Sequence, residues 1–134
     1  MTTASLVIHE QALPQLEGAL DEMLQQSQAQ CALLISRDDG SLIAARGFVR
    51  SLDTTSLAAL AAGTFASAGE IARLIGEPEF SVLFHQGKRD HVHVNVAGRH
   101  ALVMILFSDL AAVGLVRLCA RRCSAKIEEI LSHG

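Results

Sequence analysis

The chain has no tryptophan, no tyrosine and only two prolines. Its core must therefore be built from Leu, Val, Ile, Ala and its five Phe residues. Strong charge is missing too. The formal net charge is -3, and so weak a balance argues against nucleic acid or an acidic membrane surface as the main partner. Three cysteines, Cys31, Cys119 and Cys123, are an odd set and do not read as a disulfide framework. The start, MTTASLVIHEQ, has neither a positive n-region nor an apolar h-region. No apolar run approaches the roughly 20 residues of a membrane span, so no membrane insertion is expected. The expectation is a soluble cytoplasmic protein. A phosphate-cradling GxxxxGK[ST] loop is also lacking. The nearest string, 63-GTFASAG-69, falls inside a predicted helix whose amides are already bonded, so no cofactor is expected.

What is present is an ordered alternation of patterns in 134 residues, half of them hydrophobic, enough for one domain over 1–134. Residues 6–9 read as a brief extended arm. From about Gln11 to Gln28, Leu13, Leu16, Leu20, Met23 and Leu24 recur at helical spacing, with Pro14 tolerated in the first turn. Two apolar runs, 31-CALLISR-37 and 41-SLIAARG-47, flank 38-DDG-40 and predict a hairpin covered on both faces. Asp53 is a good N-cap for a second helix, with Leu52 and Leu57 as a hydrophobic staple. That helix runs to Ile75, where Gly76 suits a left-handed C′ position and Pro78 blocks continuation. Three strands follow: 80-FSVLFHQ-86, 91-HVHVNVA-97 and 100-HALVMILF-107. The middle one alternates Val92, Val94 and Val96 with His91, His93 and Asn95. The last is apolar throughout and should be central. A final helix covers about Leu110 to Leu131, with Val113, Val116, Ala120, Cys123, Ile127 and Ile130 as its stripe. The fold class is α/β (α+β), in the order α-β-β-α-β-β-β-α, with one five-stranded antiparallel sheet and helices on its faces.

Candidate chemistry is sparse. His91, His93 and His100 can meet on one face of the last hairpin, but no cysteine or carboxylate completes a tetrahedral set, and a half-exposed polar strand face explains them better. His85 is either a partner contact or a buried, hydrogen-bonded histidine. Cys119 and Cys123 share a helix face, where small core hydrophobes are the simpler reading than a metal or redox pair. Asp38 and Asp39 are accounted for by turn chemistry. Nothing marks a nucleophile elbow.

The anomaly is the second helix, 53-DTTSLAALAAGTFASAG-69, with one charge at its start. Leu57, Leu60, Thr64, Ile71 and Ile75 form one expected core stripe. Ala59, Ala62, Gly63, Ala66 and Gly69 form a second, small one. A helix-interior glycine costs about 0.5–1 kcal/mol relative to alanine, so two of them call for a packing reason. An uncharged outer face points to a second protein surface, with self-association the simplest choice.

The order of elements, together with 33-LLISRDDGSLIA-44, 53-DTTSLAALAAG-63, 73-RLIGEPEF-80, 84-FHQG-87 and 112-AVGLVRL-118, resembles the roadblock / dynein light chain superfamily, in particular its bacterial gliding-motility regulators. The resemblance runs from 6-LVIHEQ-11 to about Leu131. It implies a profilin-like α/β/α sandwich and a homodimer in which the strand from Phe80 to Gln86 pairs with its copy while the second helices lie side by side. It implies that these helices form a platform for a small Ras-like GTPase (MglA-like), whose GTP hydrolysis the regulator stimulates without an arginine finger, in the control of cell polarity or motility. The residues carried into that platform and dimer contact are Ala59, Ala62, Gly63, Ala66, Gly69, Glu70, Arg73, Phe80, Val82, Phe84 and His85. Family members can carry a C-terminal tail, which 131-LSHG-134 does not match. The alternatives are a scaffold of the same fold that binds a GTPase without activating it, and a metal- or thiol-dependent activity.

Overall fold

Each apolar segment takes up the element its period predicts. In the computed structural model, which describes residues 8–132, the chain forms α1 (Ala12–Ser27), β1 (Cys31–Ser36), β2 (Leu42–Gly47), α2 (Thr54–Leu74), β3 (Val82–Gln86), β4 (Asp90–Val96), β5 (Ala101–Ser108) and α3 (Val113–Ser132). Of the arm expected over 6–9, residues 6 and 7 lie outside the described residues.

The five strands make one antiparallel sheet in the order β2-β1-β5-β4-β3. The apolar β5 is central, as its composition requires. All six β1 residues are buried, so the hairpin is covered on both faces there. Its partner β2 is a sheet edge and is only partly buried. The pairing slips by one residue between Leu34 and Ile35, leaving Ile43 as the extra residue of a bulge. Gly40 closes the hairpin at φ +72°, a left-handed conformation that side chains other than glycine rarely adopt.

Alternation along the strands divides the core into two layers. On one side α1 and α3 pack together over Ala32, Leu34, Val103, Ile105 and Phe107. On the other, α2 alone covers Cys31, Leu33, Ile35, Leu102 and Met104. This is an α/β/α sandwich with two helices on one face and one on the other.

Strand β4 reverses an expectation. The face carrying His91, His93 and Asn95 is not half-exposed; all three are buried. That face lies against α3, while Val92 and Val96, on the α2 side, are only partly buried. The reversal has a physical reason, since polar partners reach this face from elsewhere in the chain. Asn95 donates through Nδ2 to Ser124 Oγ on α3. His91 meets Asp109 at 2.6 Å between Nε2 and Oδ1. Burial is tolerated where such groups are paired, whereas His93 Nδ1 and Asn95 Oδ1 are buried without a partner among the described residues.

Candidate functional site

Both ends of α2 are fixed by local chemistry. Asp53 accepts from the Ser56 amide at 3.1 Å and from the Ser56 hydroxyl at 2.7 Å, satisfying donors the first turn leaves free. At the other end the Glu77 amide donates to Ala72 O at 2.8 Å and the Gly76 amide to Arg73 O at 3.2 Å. With Gly76 at φ +85°, this is a Schellman cap. The start and stop read from the sequence therefore hold.

The faces of α2 do not. The residues turned onto the sheet are Ala58, Ala61, Phe65, Ala68 and Ala72. Of the expected core stripe, Leu57 is half-buried and Thr64 is exposed, its hydroxyl donating to Leu60 O at 2.8 Å. Leu60, Ile71 and Ile75 are 68%, 56% and 64% exposed, and Leu74 beside them is 83% exposed. A stripe of alanines around one phenylalanine lets the helix backbone lie close to the sheet and the β1–β2 turn. A Cβ on Gly40 would stand 3.2 Å from Ala59 Cα. Ala59 and Ala62 thus have a reason to be small within the chain. Gly63 and Gly69 do not, because a Cβ on either would meet nothing within 4 Å among the described residues. Ala66 is exposed.

Helix α2 rests mainly over β1 and β2. A groove remains between it and the far half of the sheet, lined by Leu57, Leu60 and Thr64 on the helix and by Leu83, Val92 and Met104 on the strands. His85 stands on its rim and is exposed, which rules out the buried-histidine reading. Beyond it β3 is the sheet edge, paired on one side only among the described residues. Val82 is exposed, while Phe84 and Phe80 are half-buried. Phe84 turns to the opposite side of the sheet, where its ring lies 6.1 Å from that of Phe107, with the Arg117 guanidinium 5.6 Å above it.

At the C-terminal end of α2 a small polar cluster holds the loop that leads into β3. Arg37 Nη2 bonds Glu79 Oε1 at 2.7 Å, and its guanidinium lies 5.7 Å from the Phe65 ring. Glu70 and Arg73, one turn apart and exposed, pair with each other. Glu70, Arg73, Ala66, Gly69 and Phe80 all border one hollow beside Arg37.

The remaining chemical candidates are dispersed. The Gly87 amide donates to His91 Nδ1 at 3.3 Å, which leaves the proton on Nε2 for Asp109. Burial, helped by the Arg117 charge, pushes His93 down to about 4, so its imidazole is neutral at ordinary pH. His100 does not join them; its Nδ1 meets Asp38 Oδ2 at 3.0 Å beside the β1–β2 turn. Burial pushes the Cys31 thiol up to about 11 and the Cys123 thiol to about 12. With Cys119 also buried, the cysteines behave as small core hydrophobes. Among the described residues no three His, Cys, Asp or Glu side chains are grouped to hold a metal. None of their helices is long and apolar enough to cross a membrane.

What the structure brings together among the described residues is therefore surface rather than reactive chemistry: an outward apolar helix face, an open groove and a strand edge paired on one side only. Leu60, Ile71, Leu74 and Ile75 are the surface residues missed from sequence. The available signal was that α2 has large apolar residues on more than one face.

Comparison with known proteins agrees with this architecture. The family model of the Roadblock/LC7 domain matches residues 16–107. No curated protein matches the chain by sequence. Among solved structures, MglB of Myxococcus xanthus is 32% identical over 90% of this chain and 97% of its own, with a TM-score of 0.86. The gliding protein MglB of Thermus thermophilus is 29% identical over 100% of both chains, with a TM-score of 0.88. A Roadblock/LC7 domain of Streptomyces avermitilis, 16% identical over 86% of this chain and 96% of its own, shares the fold at a TM-score of 0.78.

Proposed function

This chain belongs to the Roadblock/LC7 domain family, and on that premise we propose that it is an MglB-like homodimeric regulator that binds a small Ras-like GTPase and stimulates its GTP hydrolysis, in the control of bacterial cell polarity or motility. One observation carries the reading: α2 turns large apolar residues outward beside an open apolar groove and an edge strand that is paired on one side only among the described residues. A second copy satisfies all three at once. Pairing of β3 with its copy extends the sheet, and the copy's α2 fills the groove beside Leu57, Leu60 and Leu83. Full burial of one Leu or Ile side chain contributes about 1.5–3 kcal/mol. Several such residues per subunit can offset an association cost on the order of 4–15 kcal/mol. The open space beside Gly63 and Gly69 among the described residues supports close approach of another backbone there.

The surface of the paired helices that includes Ala59, Ala62, Gly63, Ala66, Gly69, Glu70 and Arg73 is the proposed platform, shared between the second copy and the GTPase. Phe80, Val82, Phe84 and His85 belong to the proposed dimer edge. The platform offers no phosphate cradle, and its Arg73 is engaged by Glu70. Its contribution is therefore to hold the GTPase's own switch segments in their reactive arrangement, which lowers the barrier through positioning and electrostatics. Favouring one switch conformation shifts a population that already exists.

The test is single-turnover phosphate release from a Ras-like GTPase, in particular one encoded beside this protein, with and without the regulator. Faster release is expected. A stable complex with unchanged release assigns the protein to scaffolding instead, and no complex at all removes the GTPase from the reading.

A further inference from the structure

Helix α3 has a charge pattern that its own fold uses only in part, with Arg117 lying 5.6 Å over the Phe84 ring. Residues 113-VGLVRLCARRCSAK-126 carry four cations and no carboxylate. Lys126 is matched by Glu22 at 2.8 Å. Among the described residues Arg117, Arg121 and Arg122 have no ion-pair partner. Arg117 and Arg121 are four apart, as are Arg122 and Lys126, and like charges at that spacing repel along a helix. Cations near the N-terminal end of a helix are also disfavoured by its dipole. The arrangement therefore works against the stability of α3.

The same residues frame an apolar strip. Val116, Cys119, Ala120, Cys123, Ser124 and Ile127 are the buried side of α3. At 100° per residue, Arg117, Leu118, Arg121, Arg122 and Leu115 fall together on the outward arc. Leu115 and Leu118 are 40% and 39% exposed. Both are exposed on the same arc as the arginines, which offers an apolar strip to a segment lying along the helix. The β3–β4 turn adds Lys88 and Arg89 at the same end, against the single carboxylate of Asp90. Asp109, at the head of the face, is engaged by His91.

We infer that the outward face of α3, centred on Leu118, Arg121 and Arg122, is a docking surface for an acidic amphipathic segment of a partner protein. It lies on the opposite side of the sheet from α2 and so is separate from the proposed GTPase platform, while its Arg117 end borders Phe84 of the proposed dimer edge. Charge complementarity names the occupant: unpaired guanidiniums take up carboxylates bidentately, and the leucines between them take up the segment's apolar side. An anionic bilayer is the poorer fit, because the whole chain is net negative.

The probe is a labelled peptide of glutamate and leucine in one-faced helical order, about five turns long, titrated against the full chain by fluorescence anisotropy at low salt. Saturable binding is expected, weakened at least about 10-fold by Arg121→Glu with Arg122→Glu. Arg50→Glu with Arg99→Glu makes the same change in net charge elsewhere and should leave binding within about two-fold. A peptide of the same composition with its order scrambled should bind at least about five-fold more weakly. Should the double glutamate variant fail to fold, Arg121→Gln with Arg122→Gln is read in its place, with the same loss expected. No binding, equal loss in both double variants, equal binding of the scrambled peptide, or capture only by phosphatidylserine-containing vesicles would each overturn the inference.

Discussion

The two sides of the sheet solve opposite problems. On the α1/α3 side the chain buries a polar strand face, His91, His93 and Asn95, and supplies most of its partners from α3 and the loop before it. On the α2 side it has an apolar strand face, Leu83, Val92 and Met104, and leaves that face beside an open groove. If hydrophobicity alone decided which surface a chain covers with itself, the assignment would be the reverse. The polar face can be closed by the chain because its partners are specific and come from within. The open apolar face makes sense when a second protein completes it.

The strongest way to break this contrast is to put charge into the α2 side. Leu60→Glu, Gly63→Arg and Ala66→Arg each place a charged side chain where the proposed copy would sit, leaving it unpaired on burial. Each is expected to weaken self-association by about 100-fold or more, with little change in the melting temperature of the monomer, because all three positions are exposed in the single chain. Sedimentation equilibrium reads the mass. Wild-type mass for all three would end the dimer reading of this face.

The polar side is tested by pH. An imidazole in the unfolded chain gains its proton as pH falls through about 6.5, whereas His93 stays neutral in the fold down to about 4. Between those values the unfolded state binds more protons, so stability falls with falling pH and contributes no slope above the window. The drop is about 3 kcal/mol across it. Facing His93 are Arg117 from α3, Phe84 of β3 and Ile105 of β5. Among the described residues its Nδ1 has no partner. His93→Leu should flatten the urea-derived stability profile from pH 6.5 to 4 relative to wild type. An unchanged slope would mean that other groups carry it.

How far the sequence could be read differs between these sides too. Element order and ends were legible because they rest on local chemistry, such as Asp53 before its helix, Gly76 and Pro78 after it, and Gly40 in the hairpin. Which face of α2 turns inward was not. A helix apolar on several sides gives no polar stripe to orient it, and choosing the larger residues for the core assigned Leu60 and Ile71 wrongly. Close contact with the sheet selected small residues instead. For β4 the alternation was legible but its direction was not. The groups that make burial of His91 and Asn95 tolerable, Asp109 and Ser124, lie 18 and 29 residues away. A local pattern cannot show them. The proposed interface residues on β3 and at the end of α2 came from the family resemblance rather than from spacing.

The inward face of α2 gives a sharper, smaller test. Ala58 and Ala72 are fully buried, so Ala58→Leu or Ala72→Leu must push the helix away from the sheet. A loss of about 1–3 kcal/mol is expected by chemical denaturation. Ile71→Ala, one residue from Ala72 but outward, should change monomer stability by less than about 0.5 kcal/mol. Equal losses at positions 71 and 72 would contradict the orientation of the helix.

The smallest expected effect on stability concerns the junction of the groove and the strand edge. Arg37 reaches from the end of β1 to Glu79, just before β3, and crosses the Phe65 ring of α2 on the way. Its pair with Glu79 is partly solvated, and such pairs contribute at most about 1 kcal/mol. Arg37→Ala should therefore lower the melting temperature only slightly. Yet the pair ties the segment leading into β3 to both α2 and β1, so its loss frees an edge strand that a second copy must find already ordered. Preordering is entropic, and its loss appears in association rather than in monomer folding. Self-association is accordingly expected to weaken about three- to ten-fold, with Arg37→Lys intermediate because lysine keeps the charge but not the planar contact with Phe65. A variant that melts early and dimerises normally would place Arg37 in the core of the fold, not at the hinge of its edge.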